Sequence, residues 1–406
     1  MSANPLPSEA SWPPRGLSGW LVRQAGVGDC LPSDTAGRAR IGLLQGWVSV
    51  VVNLVLCLVK LGLGAWIGSI ALMADAVHSL SDVATSLIVV CGFYWARKPR
   101  DSRHPFGHGR IELVTALVMA VVLVVLAIEF VRFGVSRILS PRDLVVSLWM
   151  VGVICATIVL KQWLALFARQ LAAATGSAAL HADYWHHLAD VLSTALVLVS
   201  LLATRWGWTG ADGWAALGIA AFILYAGYVT ARDAIHPLLG EAPPADEVRR
   251  IEETACAIPG VRGAHDVIVH KYGEDRVVSF HIEVDAADSS LQAHDLAEQA
   301  EAVVEQVIGG KAIVHVDPVD RSHPQYGAAE AMVQDVVGDH KELTAFHDLR
   351  VEGPAHHLNL SVDVVTISGL LPDSHARIET AIEEALRAQM PTLASVSVTV
   401  ETGYHN

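Results

Sequence analysis

Two stretches of the chain place histidine and aspartate in a repeated pattern inside otherwise apolar sequence. Residues 71–83 read Ala-Leu-Met-Ala-Asp-Ala-Val-His-Ser-Leu-Ser-Asp-Val, and residues 179–191 read Ala-Leu-His-Ala-Asp-Tyr-Trp-His-His-Leu-Ala-Asp-Val. The shared skeleton, A-L-x-A-D-x-x-H-x-L-x-D-V, recurs 108 residues on. His78 and Asp82 are four residues apart, so on a helix they share a face one turn from each other. His186 and Asp190 repeat the arrangement, with Asp75 and Asp183 three residues ahead of each pair on roughly the same side. The direction of His187 differs by one residue, which reads as packing or contact with water. A carboxylate at mid-bilayer costs ~2.5–3.5 kcal/mol even on a lenient insertion scale, so these groups need a compensating partner. Two imidazoles and two carboxylates from two helices form an N2O2 set of the kind that zinc takes tetrahedrally. The alternative is His-to-Asp hydrogen bonding between helices without a metal. Two matched pairs favour the metal over that reading.

The elements that would carry these residues are membrane spans. The chain has 406 residues, 52% of them hydrophobic and 17% charged, against about 25% charged in an ordinary soluble domain. Residues 1–240 hold 17 Lys and Arg against 13 Asp and Glu, while residues 241–406 hold 11 against 29. An apolar, slightly basic half therefore precedes a strongly acidic one. That division excludes a single globular domain, a disordered chain and a disulfide scaffold, and an acidic soluble half argues against nucleic acid as a partner. The five cysteines are scattered without a CxxC pair, which excludes a thiolate zinc finger.

Six segments reach the ~20 apolar residues that a bilayer requires: near 42–65, 70–95, 112–136, 144–168, 177–203 and 213–234. Residues 1–40 hold five prolines and no signal-peptide core, and read as a mostly disordered cytosolic tail. The loop from Arg97 to Arg110 carries five basic residues, which places it in the cytoplasm by the positive-inside tendency. An even number of spans then puts both termini there. Beyond Pro243-Pro244 the periodicity alternates between 3.6 and 2 in the order helix, strand, strand, helix, strand, and then repeats that order. His265-Asp266 matches His347-Asp348 at an offset of 82 residues. The expected fold is an α-helical membrane protein with six transmembrane helices at 41–236, followed by two tandem cytosolic α+β (αββαβ, ferredoxin-like) domains at 241–322 and 323–406.

With these motifs the chain resembles the cation diffusion facilitators, a family of divalent-metal/proton antiporters, over about residues 42–320. The resemblance rests on His78-x-x-x-Asp82, His186-x-x-x-Asp190, the His104-Pro105-Phe106-Gly107-His108-Gly109-Arg110 loop with Glu112, and the αββαβ domain. It implies a metal transport site of His78, Asp82, His186 and Asp190 between the second and fifth spans. It implies a second metal site in the loop, at Asp101, His104 and His108, for which a solvated basic loop is the plain alternative. It implies a zinc cluster of His265, His281, His294, His315 and Asp317 in the first cytosolic domain, and a homodimer joined partly through those domains. The second domain departs from the pattern: Ser361, Thr399 and Glu401 are aligned with His281, His315 and Asp317, so it reads as a degenerate copy.

The functional expectation is a secondary active transporter in the plasma (inner) membrane. It would export divalent cations, zinc first and cadmium, cobalt or iron(II) as alternatives, in exchange for protons, with zinc also held structurally. No enzymatic role is expected, since an intramembrane metallohydrolase would need a general base of the HExxH type and none occurs. The remaining alternative is a membrane-anchored metal sensor without transport, for which His and Asp at matched depth in two spans would have no use.

Overall fold

The structure is a computed structural model. It describes residues 12–402 apart from 31, 33–34, 68–69, 141–147, 206–210, 274 and 368–371. The chain divides into a helical unit that ends at Gly240 and an α+β unit that begins at Glu241.

The helical unit opens with a short helix, α1 (Gly16–Gln24), followed by six long ones: α2 (Thr35–Ile67), α3 (Ile70–Ala96), α4 (Ile111–Leu139), α5 (Leu148–Thr175), α6 (Ala178–Arg205) and α7 (Ala211–Leu239). Among the described residues, five of the six are long and apolar enough to cross a membrane. The sixth, α6, carries His181, Asp183, His186, His187 and Asp190. The first helix begins before residue 41 and the last runs past 236, because the apolar pattern continues into Ala36–Leu63 and up to Leu239. The reading of residues 1–40 as a disordered tail needs correction from α1 onward, and its first eleven residues lie outside the described ones. Helix α1 is formed there, and Val22 and Val27 are buried in one apolar cluster with Ile41, Phe93, Phe167 and Leu171. Burial of those two side chains supplies the order that composition alone hides.

Small residues set how closely the helices approach, as is general where no hydrophobic force drives helices together. Gly134 on α4 faces Gly213 on α7, and a Cβ on either would come within 2.8 Å of the other's carbonyl oxygen. Gly42 on α2 lies against the Phe93 ring on α3 at 2.5 Å from such a Cβ. Between α5 and α6 the chain reverses in two residues, Gly176 and Ser177. Gly176 takes φ +65°, a conformation that costs glycine nothing, and Ser177 Oγ accepts from the Leu180 N–H at 3.2 Å, capping α6. This tight hairpin fixes relative depth. Lys161 lies fifteen residues before Gly176 and Asp190 fourteen after it, about 21–22 Å along either helix at 1.5 Å per residue. Gly240, at φ +90°, stops α7 in the left-handed C-terminal manner.

The α+β unit contains α8 (Ala245–Cys256), β1 (Gly263–Tyr272), β2 (Asp275–Asp285), α9 (Ser290–Ile308), β3 (Lys311–Val319), α10 (Tyr326–Asp339), β4 (Leu343–Glu352), β5 (Leu358–Thr366), α11 (Pro372–Gln389) and β6 (Leu393–Thr402). Two three-stranded sheets result, β1-β2-β3 and β4-β5-β6. Strand β2 runs parallel to β3, β4 antiparallel to β5, and β5 parallel to β6. The α9 start is written in sequence: Ser289 and Gln292 form a reciprocal capping box, and Gly309 closes the other end in the left-handed region. Alternation sorts the strands. In β5, Leu358, Leu360, Val362 and Val364 are buried while the residues between them are not, as the two-residue period requires. Each repeat has its own core, one around Ile251, Phe280, Ile282 and Val304 and one around Val333, Leu360, Val362 and Ile382.

Candidate metal centre

The repeated helix motif builds a polar centre where α3, α5 and α6 meet. Asp82 Oδ1 and Asp190 Oδ2 each lie 3.9 Å from His186 Nε2, and all three residues are buried. One ligand atom from each lies within 4.8 Å of the others, as a bound cation requires. His78 belongs to α3 through its backbone, but its side chain lies outside the described residues, and so does that of Asp75. The helix backbone helps to position both carboxylates. Thr85 and Ser86 hydroxyls donate to the Asp82 carbonyl at 2.9 and 2.8 Å, and Ser193 and Thr194 donate to the Asp190 carbonyl at 2.8 Å each. The motif thus extends four residues beyond each aspartate, and hydroxyl groups at i+3 and i+4 are the signal for it. Thr85 Oγ1 also lies 3.0 Å from His186 Nε2, which orients the imidazole.

Sequence reading missed the central member of this site. Lys161 of α5 donates from Nζ to Asp82 Oδ2 at 2.6 Å and to Asp190 Oδ2 at 2.7 Å, and its side chain is 3% exposed. An ammonium ion therefore sits between the two carboxylates. The signal was present: a lysine in the apolar run Ile158-Val159-Leu160-Lys161 is costly enough to mark a functional position. The hairpin geometry given above places it at the depth of Asp190. The shared ammonium also lowers the cost of burying the two aspartates together, because an unpaired buried charge is far more costly than a paired one.

A second polar group runs beside the first. Gln45 Nε2 donates to Asp183 Oδ2 at 2.9 Å and to Ser49 Oγ at 3.0 Å. Ser49 Oγ lies 3.0 Å from His187 Nε2, which lies 3.4 Å from Asp183 Oδ2. Asp183 and His187 are both fully buried. His187 is thus not water-facing; it and Asp183 form a structural link from α6 to α2, away from the cation position.

The loop before α4 brings its three candidates together. His104 Nδ1 lies 3.2 Å from Asp101 Oδ1, His108 Nε2 lies 3.7 Å from Asp101 Oδ2, and the two rings are 4.3 Å apart. Backbone donation from His104 is the main cause that holds the Asp101 carboxyl well below its ordinary range. His108 Nδ1 is 3.2 Å from the Lys98 carbonyl; with its proton there, Nε2 is left free to bind a cation. At the start of α4, Glu112 is held by Arg38 through two bonds of 2.9 and 3.1 Å.

In the first cytosolic repeat, His265, His281 and Asp317 converge within 4.8 Å. His281 Nδ1 lies 2.9 Å from Asp317 Oδ2, and His265 Nε2 lies 3.5 Å from the same oxygen. The parallel register sets this up, pairing His281 with His315 and Glu283 with Asp317. His315 is close to the group, 3.4 Å from Asp317 Oδ1, but exposed. His294 is not brought in. It sits exposed on α9 and faces Glu298 at 3.4 Å. Burial alone would raise Asp317, but hydrogen bonding with His265 and the His281 charge outweigh it and hold the carboxyl below its usual value. Burial would lower His265, and the Asp317 bond and nearby carboxylates raise it instead. The donor set, two imidazoles and a carboxylate, fits a borderline divalent ion.

The second repeat corrects one alignment. Strand β5 pairs Asp363 with Thr399 and Val365 with Glu401, so the residue in the place of His281 is Asp363 rather than Ser361. The 82-residue offset holds through β1, β4, β2 and β5, and Asp266 and Asp348 share an unusual positive φ, 51° and 49°. His347, Asp363 and Glu401 therefore stand where the first repeat has His265, His281 and Asp317. Burial and a hydrogen bond with Asp266 push Glu401 up to about 7, while burial and the neighbouring His265 push His347 down.

A family model described as the cation efflux transmembrane domain matches residues 46–239, and one described as the cation efflux cytoplasmic domain matches residues 243–319. An uncharacterized transporter of Methanocaldococcus jannaschii is 35% identical over 274 residues, which cover 67% of this chain and 97% of the relative. The cation-efflux pump FieF of Pectobacterium carotovorum is 34% identical over 286 residues, 69% of this chain and 94% of the pump. That of Klebsiella pneumoniae is 34% identical over 266 residues, 65% and 88%. The cytoplasmic model ends at Val319, ahead of α10.

Proposed function

The chain belongs to the cation diffusion facilitator family of cation-efflux transporters, and from that premise we propose that it exports zinc from the cytosol in exchange for protons through Asp82, His186 and Asp190. The observation that carries this reading is a buried site in which two carboxylates and an imidazole already surround a positive charge, the Lys161 ammonium. A site built to hold a cation without water is the chemical requirement for moving one across a bilayer. Zinc suits a mixed nitrogen and oxygen set, with His78 as the fourth ligand. An incoming ion takes the position of the Lys161 ammonium between the aspartates. Histidine exchanges protons near neutral pH, so protons entering from outside compete for the ligands and favour metal release. Alternating access then follows from rocking of the helices about a site at mid-membrane.

The protein is a homodimer in the plasma membrane with both termini in the cytoplasm. The His265–His281–Asp317 group holds a resident zinc that orders the cytosolic domain. The test is flux. Purified protein in vesicles with an imposed pH gradient should move zinc against its own gradient, and Asp190→Ala should abolish that flux in a folded, inserted protein. Near-normal flux in Asp190→Ala refutes the site, and no flux in the unaltered protein under any gradient returns the function to a membrane-anchored sensor.

A further inference from the structure

The two cytosolic repeats meet at equivalent residues. His265 of β1 and His347 of β4, 82 residues apart in sequence, stack with ring centroids 4.1 Å apart and planes 21° from parallel. Contact between a residue and its own counterpart is the mark of a two-fold interface, formed here within one chain. The cleft at this seam encloses about 900 Å³ and is lined by His265, Asp266, His281, His347 and Glu401 among others.

Within that cleft His347 is anomalous. Its side chain is 9% exposed, yet neither Nδ1 nor Nε2 has a hydrogen-bond partner. Buried polar atoms are almost always satisfied, and a fully unpartnered imidazole calls for an explanation. Its Nε2 lies 3.5 Å from Asp266 Oδ1 and 3.4 Å from Glu401 Oε2. One imidazole nitrogen thus lies close to an oxygen of each of two carboxylates. Asp266 takes a left-handed backbone conformation that its counterpart Asp348 shares. One donor atom each from His265, Asp266 and His347 lies within 4.8 Å of the others. His265 Nε2 already faces Asp317, which leaves Asp266, His347 and Glu401 as a separate set.

We propose that Asp266, His347 and Glu401 bind a divalent cation between the two repeats, distinct from the one held by His265, His281 and Asp317. One nitrogen and two oxygens, completed by water, suit zinc or a neighbouring first-row ion. The first repeat contributes the aspartate and the second the histidine and glutamate, so neither holds the ion alone. An ion that binds only the docked pair stabilises docking by mass action. The second repeat is then a metal-dependent clasp on the first, with a role that its loss of the His281 and His315 side chains does not remove.

The test uses the full-length protein in detergent, stripped of metal and titrated with zinc chloride. His347→Phe keeps the ring stack and the burial but has no nitrogen. Because both nitrogens lack partners, the metal-free melting temperature of this variant should match or exceed that of the parent. Its bound zinc should fall by one equivalent per chain, and the zinc-induced rise in melting temperature should shrink. Glu401→Gln should lose the same equivalent, and it decides the matter if His347→Phe fails to fold. His281→Asn should lose a different equivalent, so that the double variant with Glu401→Gln loses both. Unchanged zinc stoichiometry in Glu401→Gln, or no further loss in that double variant, overturns the proposal.

Discussion

Replacing Lys161 with methionine tests whether the internal ammonium competes with the transported ion. Methionine keeps the length and apolar stem of lysine but removes the charge. Lys161 bonds Asp82 and Asp190 at 2.6 and 2.7 Å with almost no exposure. At an effective dielectric near 20 a charge pair 4 Å apart is worth about 4 kcal/mol, and these pairs are closer. Against this stands the loss of hydration, so the measured cost of breaking a buried pair is the better guide, roughly 3–5 kcal/mol. If the ion takes the place of the ammonium, as proposed, the metal-bound state does not suffer that loss. At 1.36 kcal/mol per decade, 3 kcal/mol corresponds to about a hundredfold tighter zinc binding in Lys161→Met. Proton uptake by one aspartate absorbs part of it, which leaves about tenfold as the smallest gain expected. Calorimetric zinc titration of parent and variant in detergent at one pH measures the ratio. Metal-free melting temperature should fall in the variant and zinc should restore it, while vesicle flux should slow because release is harder. Equal or weaker zinc binding by a folded Lys161→Met protein would show that the lysine is a structural bridge and refute the competition.

Three further outcomes are expected. Gln45→Ala removes the donor to buried Asp183 and should destabilise the helical unit by about 1–3 kcal/mol, measured by thermal unfolding, without loss of zinc stoichiometry. His78→Asp substitutes oxygen for nitrogen in the transport site and should weaken discrimination of zinc from manganese in competitive flux assays, since ligand type sets metal choice; an unchanged ratio would remove His78 from the ligand set. Burial raises the Glu252 carboxyl above its ordinary value, so its contribution to stability is complete below that ordinary value and is lost as pH rises through the shifted one. Glu252→Gln should therefore flatten the fall in melting temperature with rising pH across that window.

The sequence by itself determined the elements. Apolar length marked the spans, and hydrophobic periodicity marked the αββαβ order twice, because burial against lipid or a sheet leaves a local record. Ser289-x-x-Gln292 and Gly309 announced the ends of α9 in the same local way. The repeated His-x-x-x-Asp motif was legible because its residues lie one turn apart on single helices. What only the tertiary structure decided were contacts between elements distant in the chain. Lys161 stands between Asp82 and Asp190 through a hairpin at Gly176, and no spacing rule links it to Asp82, 79 residues away. Asp183 and His187 share the helix of His186 and Asp190 yet turn to Gln45 and Ser49 on α2, since a helix offers several faces and packing selects which partner each one meets. The family resemblance implied His294 in the candidate cluster, and in the structure it sits exposed on α9 against Glu298. The seam of His265 on His347 depends on how two separately cored repeats dock, and docking of two folded surfaces leaves no periodic trace in either one.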